Sequence, residues 1–131
     1  MKLTKSEVIE KLRRLEQNKE PILFSISGRG WPTIAANGEG FVEKVSEDGL
    51  RIEGNGRFFV TFGDDYEYEL SGHYPHRSSE GSEIFGSSKR VRCMTIRDEY
   101  AEANLVFRAG ACSRAANGNR RRGGSVVRSI R

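Results

Sequence analysis

The stretch Gly40–Leu70, GFVEKVSEDGLRIEGNGRFFVTFGDDYEYEL, decides the expected fold because it reads as consecutive short strands joined by tight turns. Leu50 and Ile52 alternate with charged residues, as do the apolar residues of Tyr66–Leu70. This is the period of two of a strand with one buried face. The run Arg57–Phe62, RFFVTF, is apolar on both faces, and it is therefore predicted to be a central strand and the best-buried one.

Turn residues separate these strands. Glu47–Gly49 ends in a glycine that can take positive φ, Asn55–Gly56 is a strong hairpin signal, and Gly63–Asp65 closes the next corner. We therefore expect neighbouring strands to pair in sequence order. The predicted fold class is mainly β: a small antiparallel β-barrel or meander of about six to eight strands, with one N-terminal helix.

The N-terminus carries the start signal of a helix, which is predicted over residues 4–18. Thr4 and Glu7 have the spacing of a capping box, in which each side chain bonds the backbone amide of the other residue. Four apolar residues follow at helical spacing: Val8, Ile9, Leu12 and Leu15. Their stripe favours packing across an open end or face of the sheet. A helix that binds a partner or a membrane surface is the alternative.

Four further strands are expected outside the central stretch, at Ile22–Ser27, near Thr33–Ala36, at Lys89–Arg97 and at Ala103–Arg108. The last two are predicted to pair with each other and to close the sheet. Before them lies Ser71–Ser88, a polar segment rich in serine and glycine, which predicts a long loop.

Length and composition predict one soluble domain. The chain has 131 residues, of which 36% are hydrophobic and 31% are charged, enough for one core. No apolar run approaches the roughly 20 residues that cross a bilayer, and the N-terminus lacks the apolar segment of a secretory signal. A cytoplasmic location is therefore expected. Cys93 and Cys112 fit neither a disulfide framework nor a metal-binding pair, so we interpret both as free thiols.

The positive charge of the chain is concentrated at its C-terminal end. The formal net charge is +4, but residues 110–131 hold six arginines and no acidic residue. Residues 1–109 therefore hold 16 basic and 18 acidic side chains, which sum to −2. We predict a single domain over residues 1–109. We predict a flexible arginine-rich tail over residues 110–131, because that segment has too few apolar residues to offset its ordering entropy.

The arginines of this tail are the first candidate for a binding site. Each guanidinium is a fork of donors that matches a phosphate edge, and the glycines after Arg122 let the backbone follow an irregular strand. The predicted nucleic-acid-binding or anion-binding residues of the tail are Arg114, Arg120, Arg121, Arg122, Arg128 and Arg131. A tail that only keeps the protein soluble is the alternative interpretation.

Arg29 and Trp31 form the second candidate for a binding site. They lie in the glycine-punctuated loop Gly28–Pro32, and indole and guanidinium planes both stack well on a nucleobase. The competing interpretation is that Trp31 folds back and plugs the end of the barrel.

The sequence predicts no catalytic site, metal site or cofactor. His73 and His76 lie three residues apart in the polar loop, but no second ligand pair accompanies them to complete a tetrahedral zinc site. The chain has no nucleophile elbow, no phosphate-binding loop that opens a helix and no zinc-protease motif. We therefore expect a protein that is not an enzyme.

The segment from Phe41 to Ile52 resembles the strand-turn-strand signature of PilZ domains, which are barrels that bind cyclic di-GMP. The family pattern is Asp/Asn-x-Ser-x-x-Gly. Ser46 and Gly49 match it, whereas Lys44 stands where the family has Asp or Asn. The Arg-x-x-x-Arg clamp that precedes the barrel in the family is absent here. The resemblance covers this segment alone and implies a PilZ-like barrel with a degenerate nucleotide site.

Three functions are consistent with these patterns. The first is a non-catalytic binding or regulatory module for an anionic partner, either a nucleic acid bound by the tail or a cyclic dinucleotide bound by a PilZ-like site. The second is a protein-interaction or assembly module, including a homodimer, that uses an exposed sheet edge. The third and least favoured is an enzyme built around the His73–Glu83 loop. No membrane partner is expected.

Overall fold

The computed structural model describes residues 1–28, 35–72, 74–75, 85 and 90–111. Within these ranges, one helix and eight strands follow one another along the chain. They are α1 (Lys5–Asn18), β1 (Pro21–Gly28), β2 (Ala35–Val45), β3 (Gly49–Gly54), β4 (Gly56–Thr61), β5 (Glu67–Leu70), β6 (Tyr74–Pro75), β7 (Arg90–Arg97) and β8 (Ala101–Arg108).

The strands form one antiparallel sheet with the order β4-β3-β2-β1-β8-β7-β5, and β6 also pairs with β7. Strands that follow each other in the chain pair from β1 to β4 and again from β7 to β8. The predicted mainly β fold class, with a meander and one N-terminal helix, is therefore confirmed. The sheet is not closed into a barrel. Its two end strands, β4 and β5, do not pair in the described residues, although only a short turn separates them in the chain.

The hydrophobic core lies between the inner face of this sheet and α1. Paired strands place apolar residues opposite each other, as Leu105 of β8 does with Phe24 of β1 and with Met94 of β7. Leu12 and Leu15 of α1 are fully buried in the same cluster. Burial of an aliphatic side chain of this size contributes about 1.5–3 kcal/mol. The helix therefore covers the inner face, nearest to β2, as its apolar stripe predicts.

Helix α1 begins at the predicted capping box. The Thr4 hydroxyl accepts a hydrogen bond from the Glu7 amide at 3.2 Å, and the Glu7 carboxylate accepts one from the Thr4 amide at 2.8 Å. At its C-terminal end Lys19 takes a left-handed conformation with a φ of 49°. The Glu20 amide can then donate to the Leu15 carbonyl at 3.1 Å. These bonds satisfy backbone groups that have no partner within the helix.

The first residues of the chain run along the outer edge of β5. The Leu3 amide donates to the Tyr68 carbonyl, and the Leu70 amide donates to the Met1 carbonyl, both at 2.8 Å. This end of the sheet is therefore covered by backbone of the same chain. Among the described residues, no comparable segment pairs with the outer edge of β4.

The prediction that Arg57–Phe62 is a central and best-buried strand is wrong. β4 is an end strand that pairs only with β3 in the described residues, and its Phe59 side chain is 60% exposed. Phe58 and Val60 pack against the core, so burial alternates along the strand. The unbroken apolar run therefore does not indicate cover on both faces, because the Phe59 ring points to solvent.

Two other elements differ from expectation. The strand expected near Thr33–Ala36 is β2, which in the described residues runs from Ala35 to Val45 and shifts register between Val42 and Lys44. A shift of this kind reverses which side chains face the core, and it hides the alternation of a long strand. The predicted loop Ser71–Ser88 contains the short strand β6, and most of that loop lies outside the described residues.

Two glycines lie where β2 and β3 leave no room for a side chain. A β-carbon on Gly40 would lie 2.3 Å from the carbonyl oxygen of Glu53. A β-carbon on Gly54 would lie 2.6 Å from the carbonyl oxygen of Glu39. Both distances are too short for any real contact. Glycine at these positions therefore allows the close approach of the two backbones.

Candidate functional site

The residues predicted to bind an anion lie outside the described part of the chain. They are Arg29 and Trp31 of the glycine-punctuated loop and the tail arginines Arg114, Arg120, Arg121, Arg122, Arg128 and Arg131. His73, His76 and Cys112 lie outside it as well. The described residues therefore do not test these predictions, and they show instead how the charges of the sheet and helix are arranged.

Five arginines of the helix and sheet are paired with carboxylates of the same chain. The pairs are Arg14–Glu10, Arg51–Glu43, Arg57–Glu53, Arg97–Glu67 and Arg108–Glu20, with nitrogen–oxygen distances of 3.3, 2.9, 2.8, 2.9 and 2.5 Å. Exposed ion pairs contribute little to stability. Each of them nevertheless places a negative charge beside a cation that an anionic ligand would otherwise meet alone.

The most buried of these pairs joins Glu20 and Arg108. Glu20 is only 6% exposed and lies between α1 and β1, whereas Arg108 ends β8. The Arg108 Nε donates to Glu20 Oε2 at 2.8 Å, and its Nη2 donates to Oε1 at 2.5 Å. This hydrogen bonding raises the pKa of Arg108. The two-point contact fixes the last strand against the end of the helix.

A row of polar side chains crosses β5, β7 and β8 on the outer face of the sheet. Arg97 donates to Glu67 at 2.9 Å and to Glu102 at 3.3 Å. The Asn104 amide donates to Glu102 at 3.0 Å, and the Thr95 hydroxyl donates to Asn104 at 2.7 Å. The hydrogen bonds that Arg97 donates to Glu67 and Glu102 raise the pKa of Arg97. The members of the row bond one another, so it has the character of a structural network.

A smaller mixed cluster lies on β2, β3 and β4. The Arg51 Nε is 2.9 Å from Glu43 Oε1, but the two buried atoms are not aligned for a hydrogen bond. Arg57 approaches the same carboxylate at 3.8 Å and bonds Glu53 at 2.8 Å. Two arginines and two glutamates leave no net charge, so this cluster does not favour an anion.

The turn between β2 and β3 carries the residues that resemble the PilZ signature. The Ser46 hydroxyl accepts a hydrogen bond from the Asp48 amide and donates to the Gly49 carbonyl, both at 3.3 Å. The Ser46 amide donates to the same carbonyl at 2.9 Å. A β-carbon on Gly49 would lie 2.3 Å from the carbonyl oxygen of Val60. Ser46 and Gly49 therefore shape the turn itself.

A small cleft separates β4 from the β7–β8 hairpin. Its volume is about 110 Å³, and its walls include Phe59, Thr61, Tyr66, Asp98 and Glu102. Pockets that enclose small molecules are usually about 300–1,000 Å³. The cleft is therefore too small for a nucleotide, and it combines an apolar wall on β4 with an acidic rim on the hairpin.

A wider and shallower groove of about 370 Å³ runs over the paired glycines Gly40 and Gly54. Its charged lining residues are Lys19, Glu39 and Glu53. Because carboxylates outnumber cations along it, the groove does not favour a phosphate-bearing ligand.

Asp98 is a carboxylate of the cleft whose ionised form accepts hydrogen bonds from neighbouring residues of the fold. Burial alone raises the pKa of Asp98, but hydrogen bonds from the Tyr100 and Ala101 amides and from the Tyr66 hydroxyl outweigh this effect and lower it below the ordinary value. The Tyr100 amide lies 2.8 Å and the Ala101 amide 2.7 Å from Asp98 Oδ1. The ionised carboxylate thus holds the turn between β7 and β8.

This lowered pKa predicts a pH-dependent effect of the Asp98→Asn substitution. The stabilisation by ionised Asp98 is complete above the ordinary pKa of about 3.9 and is lost as the pH falls through the lower folded value. At neutral pH the variant should therefore unfold at a lower urea concentration than the parent protein. The two midpoints should converge at a pH below the lowered pKa of Asp98, where the parent carboxyl is protonated in both states. A difference that stays constant with pH would contradict this role.

The thiol of Cys93 is not activated as a nucleophile. Burial, the largest effect on it, raises the pKa of the thiol, and the Sγ lies 3.8 Å from Asn104 Oδ1. A protonated thiol is a weak nucleophile and a weak metal ligand. Across the described ranges, no group of three or more His, Cys, Asp or Glu residues could hold a metal ion.

Sequence reasoning missed the Glu20–Arg108 pair and the position of β4 at the end of the described strand order. The pair joins residues 88 positions apart, so no local pattern reveals it. The sequence held one signal, because Glu20 directly precedes an apolar strand. A glutamate buried at such a position is unusual unless a cation pairs with it. Which strand lies at the end of the sheet depends on strand order, and the alternation of residues within a strand does not specify that order.

These observations define a class of protein: a small antiparallel β-sheet whose inner face is covered by one N-terminal helix and whose described surface carries several arginine–carboxylate ion pairs. No family model matches the chain, and no curated protein or solved structure matches it either. None of the helical segments in the described ranges combines the length and the apolar character that crossing a bilayer requires.

Proposed function

We propose that the protein is a non-catalytic binding module whose anionic partner is a nucleic acid, bound through the C-terminal arginines. The observation that supports the proposal is the division of charge along the chain. Five arginines of the sheet and helix, including Arg97 and Arg108, have carboxylate partners. Residues 110–131 contain six arginines and no acidic residue that could pair with them locally.

The composition of this segment suits a phosphate backbone. Arginines release condensed counterions when they neutralise phosphates, and this release supplies affinity without regard to base sequence. The run Arg120–Arg122 is followed by two glycines, which let a chain adapt to an irregular single strand. Residues 1–109 sum to −2, so the folded part adds no general attraction for a polyanion.

Salt-dependent binding of the full chain to a labelled single-stranded oligonucleotide tests the proposal. If the six arginines each neutralise one phosphate, log Kd should change with log salt with a slope of magnitude about 4. Replacing Arg120, Arg121 and Arg122 with glutamine should reduce this slope by about 2. Fluorescence anisotropy across a salt series measures both values.

A matched variant separates a specific role of the tail from a general effect of charge. Lys2, Arg13 and Lys44 are exposed on the folded part, and replacing them with glutamine removes the same formal charge. This control should keep nearly the full salt slope. Equal losses in the two triple variants, or no binding by the parent chain at low salt, would refute the proposal.

Cyclic dinucleotide binding at the turn between β2 and β3 is the second candidate function. The ordered hydrogen bonds of Ser46 with Asp48 and Gly49 favour it, because they hold the residues that match the PilZ pattern in one conformation. Labelled cyclic di-GMP in the same assay tests it. A Ser46→Ala variant should then lose cyclic di-GMP binding and keep oligonucleotide binding.

A further inference from the structure

We propose that an acidic face of the sheet binds arginine side chains, and that its occupant is the arginine-rich segment of the same chain, residues 112–131. Docked arginines are not free to meet a phosphate, so the face regulates the nucleic-acid binding proposed above. The docking is argued from the described residues and the composition of the segment. Only its regulatory consequence rests on the proposed function.

The acidic face consists of β5 with the turn before it and of the turn between β7 and β8, which are residues 63–70 and 97–102. These segments hold seven acidic residues and one basic residue, a formal charge of −6. Lys2, opposite Glu69, and Lys5, 3.7 Å from Asp64, lie at its border and reduce this charge to −4. Residues 1–109 sum to only −2, so the negative charge of the folded part is concentrated on this face.

Contacts of Arg97 and Tyr66 join the two segments into one surface. Arg97 lies 2.9 Å from Glu67, 3.7 Å from Glu69 and 3.3 Å from Glu102. The Tyr66 hydroxyl donates a hydrogen bond to Asp98 across the same surface. The guanidinium of Arg97 carries one positive charge, so it balances the charge of only one of its three carboxylate neighbours.

Asp98 and Glu99 have no cation beside them among the described residues. Asp98 accepts hydrogen bonds from the Tyr100 and Ala101 amides and from a hydroxyl, and these neutral donors stabilise its charge without neutralising it. Glu99 is exposed in the same turn. The turn between β7 and β8 therefore presents two uncompensated carboxylates to solvent.

Exposed aromatic rings beside these carboxylates favour arginine as the cation. Tyr100 is 69% exposed in the turn, and Phe59 is 60% exposed on β4. Phe59 lines the cleft of about 110 Å³ whose rim includes Asp98 and Glu102. A guanidinium is planar, so it can stack on a ring while its edge donates to carboxylates. The cleft, which is too small for a nucleotide, therefore suits a single side chain of this kind.

The arginine-rich segment is long enough to reach the face. The segment follows Ala111, beyond the end of β8, whereas Tyr100 directly precedes the start of β8. The strand spans roughly 26 Å at about 3.3 Å per residue. The chain from Ala111 to Arg120 spans up to roughly 30 Å when extended. Arg120 and the arginines after it can therefore meet the turn between β7 and β8.

Charge and covalent connection together select this occupant. The segment from residue 110 onward holds six arginines and no acidic residue, opposite a face with an excess of carboxylates. A tethered segment meets its site at an effective concentration on the order of millimolar, so weak contacts suffice for docking. Exposed ion pairs are weak one by one and are screened by salt. Docked and undocked chains therefore coexist, and the docked fraction lowers the apparent affinity for a nucleic acid.

The first test locates the segment without any nucleic acid. A nitroxide spin label is attached to a Ser125→Cys variant of the full-length chain in which Cys93 and Cys112 are replaced by serine. At low salt the NMR signals of the Glu99, Tyr100 and Ala101 amides should broaden, because docking of Arg120–Arg122 brings the label close to them. At about 1 M salt, where charges are screened within a few ångströms, the broadening should disappear.

Matched variants show whether the broadening depends on the proposed contacts. The double change Glu99→Gln with Tyr100→Ala should reduce it at least about twofold, because a carboxylate and a ring are removed. Glu39→Gln removes an exposed carboxylate of β2 outside the acidic face and should leave it unchanged. Thermal unfolding confirms that the variants are folded. A mixture of spin-labelled chain and isotope-enriched unlabelled chain should show no broadening, because the docking is intramolecular.

The second test measures the regulatory consequence. Tyr100→Ala should raise the affinity for a labelled single-stranded oligonucleotide by about twofold to fivefold at low salt, because loss of a ring contact releases docked arginines. The substitution changes no charge, so the general attraction for a polyanion is the same. Tyr100→Phe keeps the ring and should bind as the parent chain does. The difference between Tyr100→Ala and the parent should vanish at salt concentrations that screen the docking.

The two tests fail separately. Absence of broadening in the spin-labelled chain at low salt, or broadening in the mixed sample, overturns intramolecular docking. A lower oligonucleotide affinity of Tyr100→Ala would show that Tyr100 contacts the nucleic acid itself and would overturn the regulatory role. Broadening as expected, in a chain that binds no oligonucleotide at low salt, would support the docking and refute the proposed function.

Discussion

The Gly49→Ala variant is expected to lose about 3 kcal/mol of unfolding free energy, at the upper end of the cost of overpacking. An added β-carbon would lie 2.3 Å from the Val60 carbonyl oxygen and 3.1 Å from the Thr61 α-carbon. Both are backbone atoms of β4, so no side chain can rotate to relieve the contact. The β3–β4 ladder must shift instead, which disturbs the Ser46–Gly49 turn and strand β4 together.

Gly72→Ala is the matched control for this prediction. No heavy atom of the described residues lies within 4 Å of the β-carbon that it would add. The two variants change the entropy of the unfolded chain equally, so the difference between them isolates the contact with β4. Urea unfolding should show a change within about 0.5 kcal/mol for Gly72→Ala. Equal stabilities of the two variants would contradict the close packing of β3 on β4.

Arg108→Gln is expected to cost about 2–3 kcal/mol. Breaking a fully buried ion pair costs about 3–5 kcal/mol, and the partial exposure of the Arg108 side chain reduces this value. The substitution leaves the Glu20 carboxylate, which is 6% exposed, without the guanidinium that bonds both of its oxygens. The contact between the end of β8 and the end of α1 weakens as a result.

Two comparisons separate this burial effect from the loss of an arginine as such. Arg14→Gln makes the same chemical change in the exposed pair with Glu10 and should cost at most about 0.5 kcal/mol. Adding Glu20→Gln to Arg108→Gln should restore at least about 1 kcal/mol, because a neutral amide is less costly to bury than a lone carboxylate. A double variant that is less stable than Arg108→Gln alone would be inconsistent with this interpretation.

Local sequence signals specified the local structure well. The capping box of Thr4 and Glu7 begins α1, and the apolar stripe that ends at Leu15 lies in the core. The alternation of Leu50 and Ile52 predicted the inner face of β3, and Asn55–Gly56 lies at the turn of the β3–β4 hairpin. These features involve residues a few positions apart, so the covalent spacing alone carries the information.

Features that depend on distant neighbours could not be predicted in this way. Strand order places β1 beside β8 and leaves β4 at the end, and this order determines that Phe59 faces solvent. An apolar run such as RFFVTF has the same pattern in a central strand as in an end strand. Likewise, nothing near Glu20 in the chain indicates that its cation is Arg108.

Three glycines lie against backbone carbonyl groups of a neighbouring strand, and this has a consequence for recognising homologous chains. Gly40, Gly49 and Gly54 each face a backbone carbonyl at a distance that excludes a β-carbon, and they are spaced nine and five residues apart. Mutation can exchange the side chains of the core as long as their total volume is kept. At these three positions, however, any residue other than glycine would bring its β-carbon too close to a backbone carbonyl. A glycine fingerprint with this spacing, set within alternating strands, should therefore persist in divergent descendants of the same ancestor after other similarity has faded.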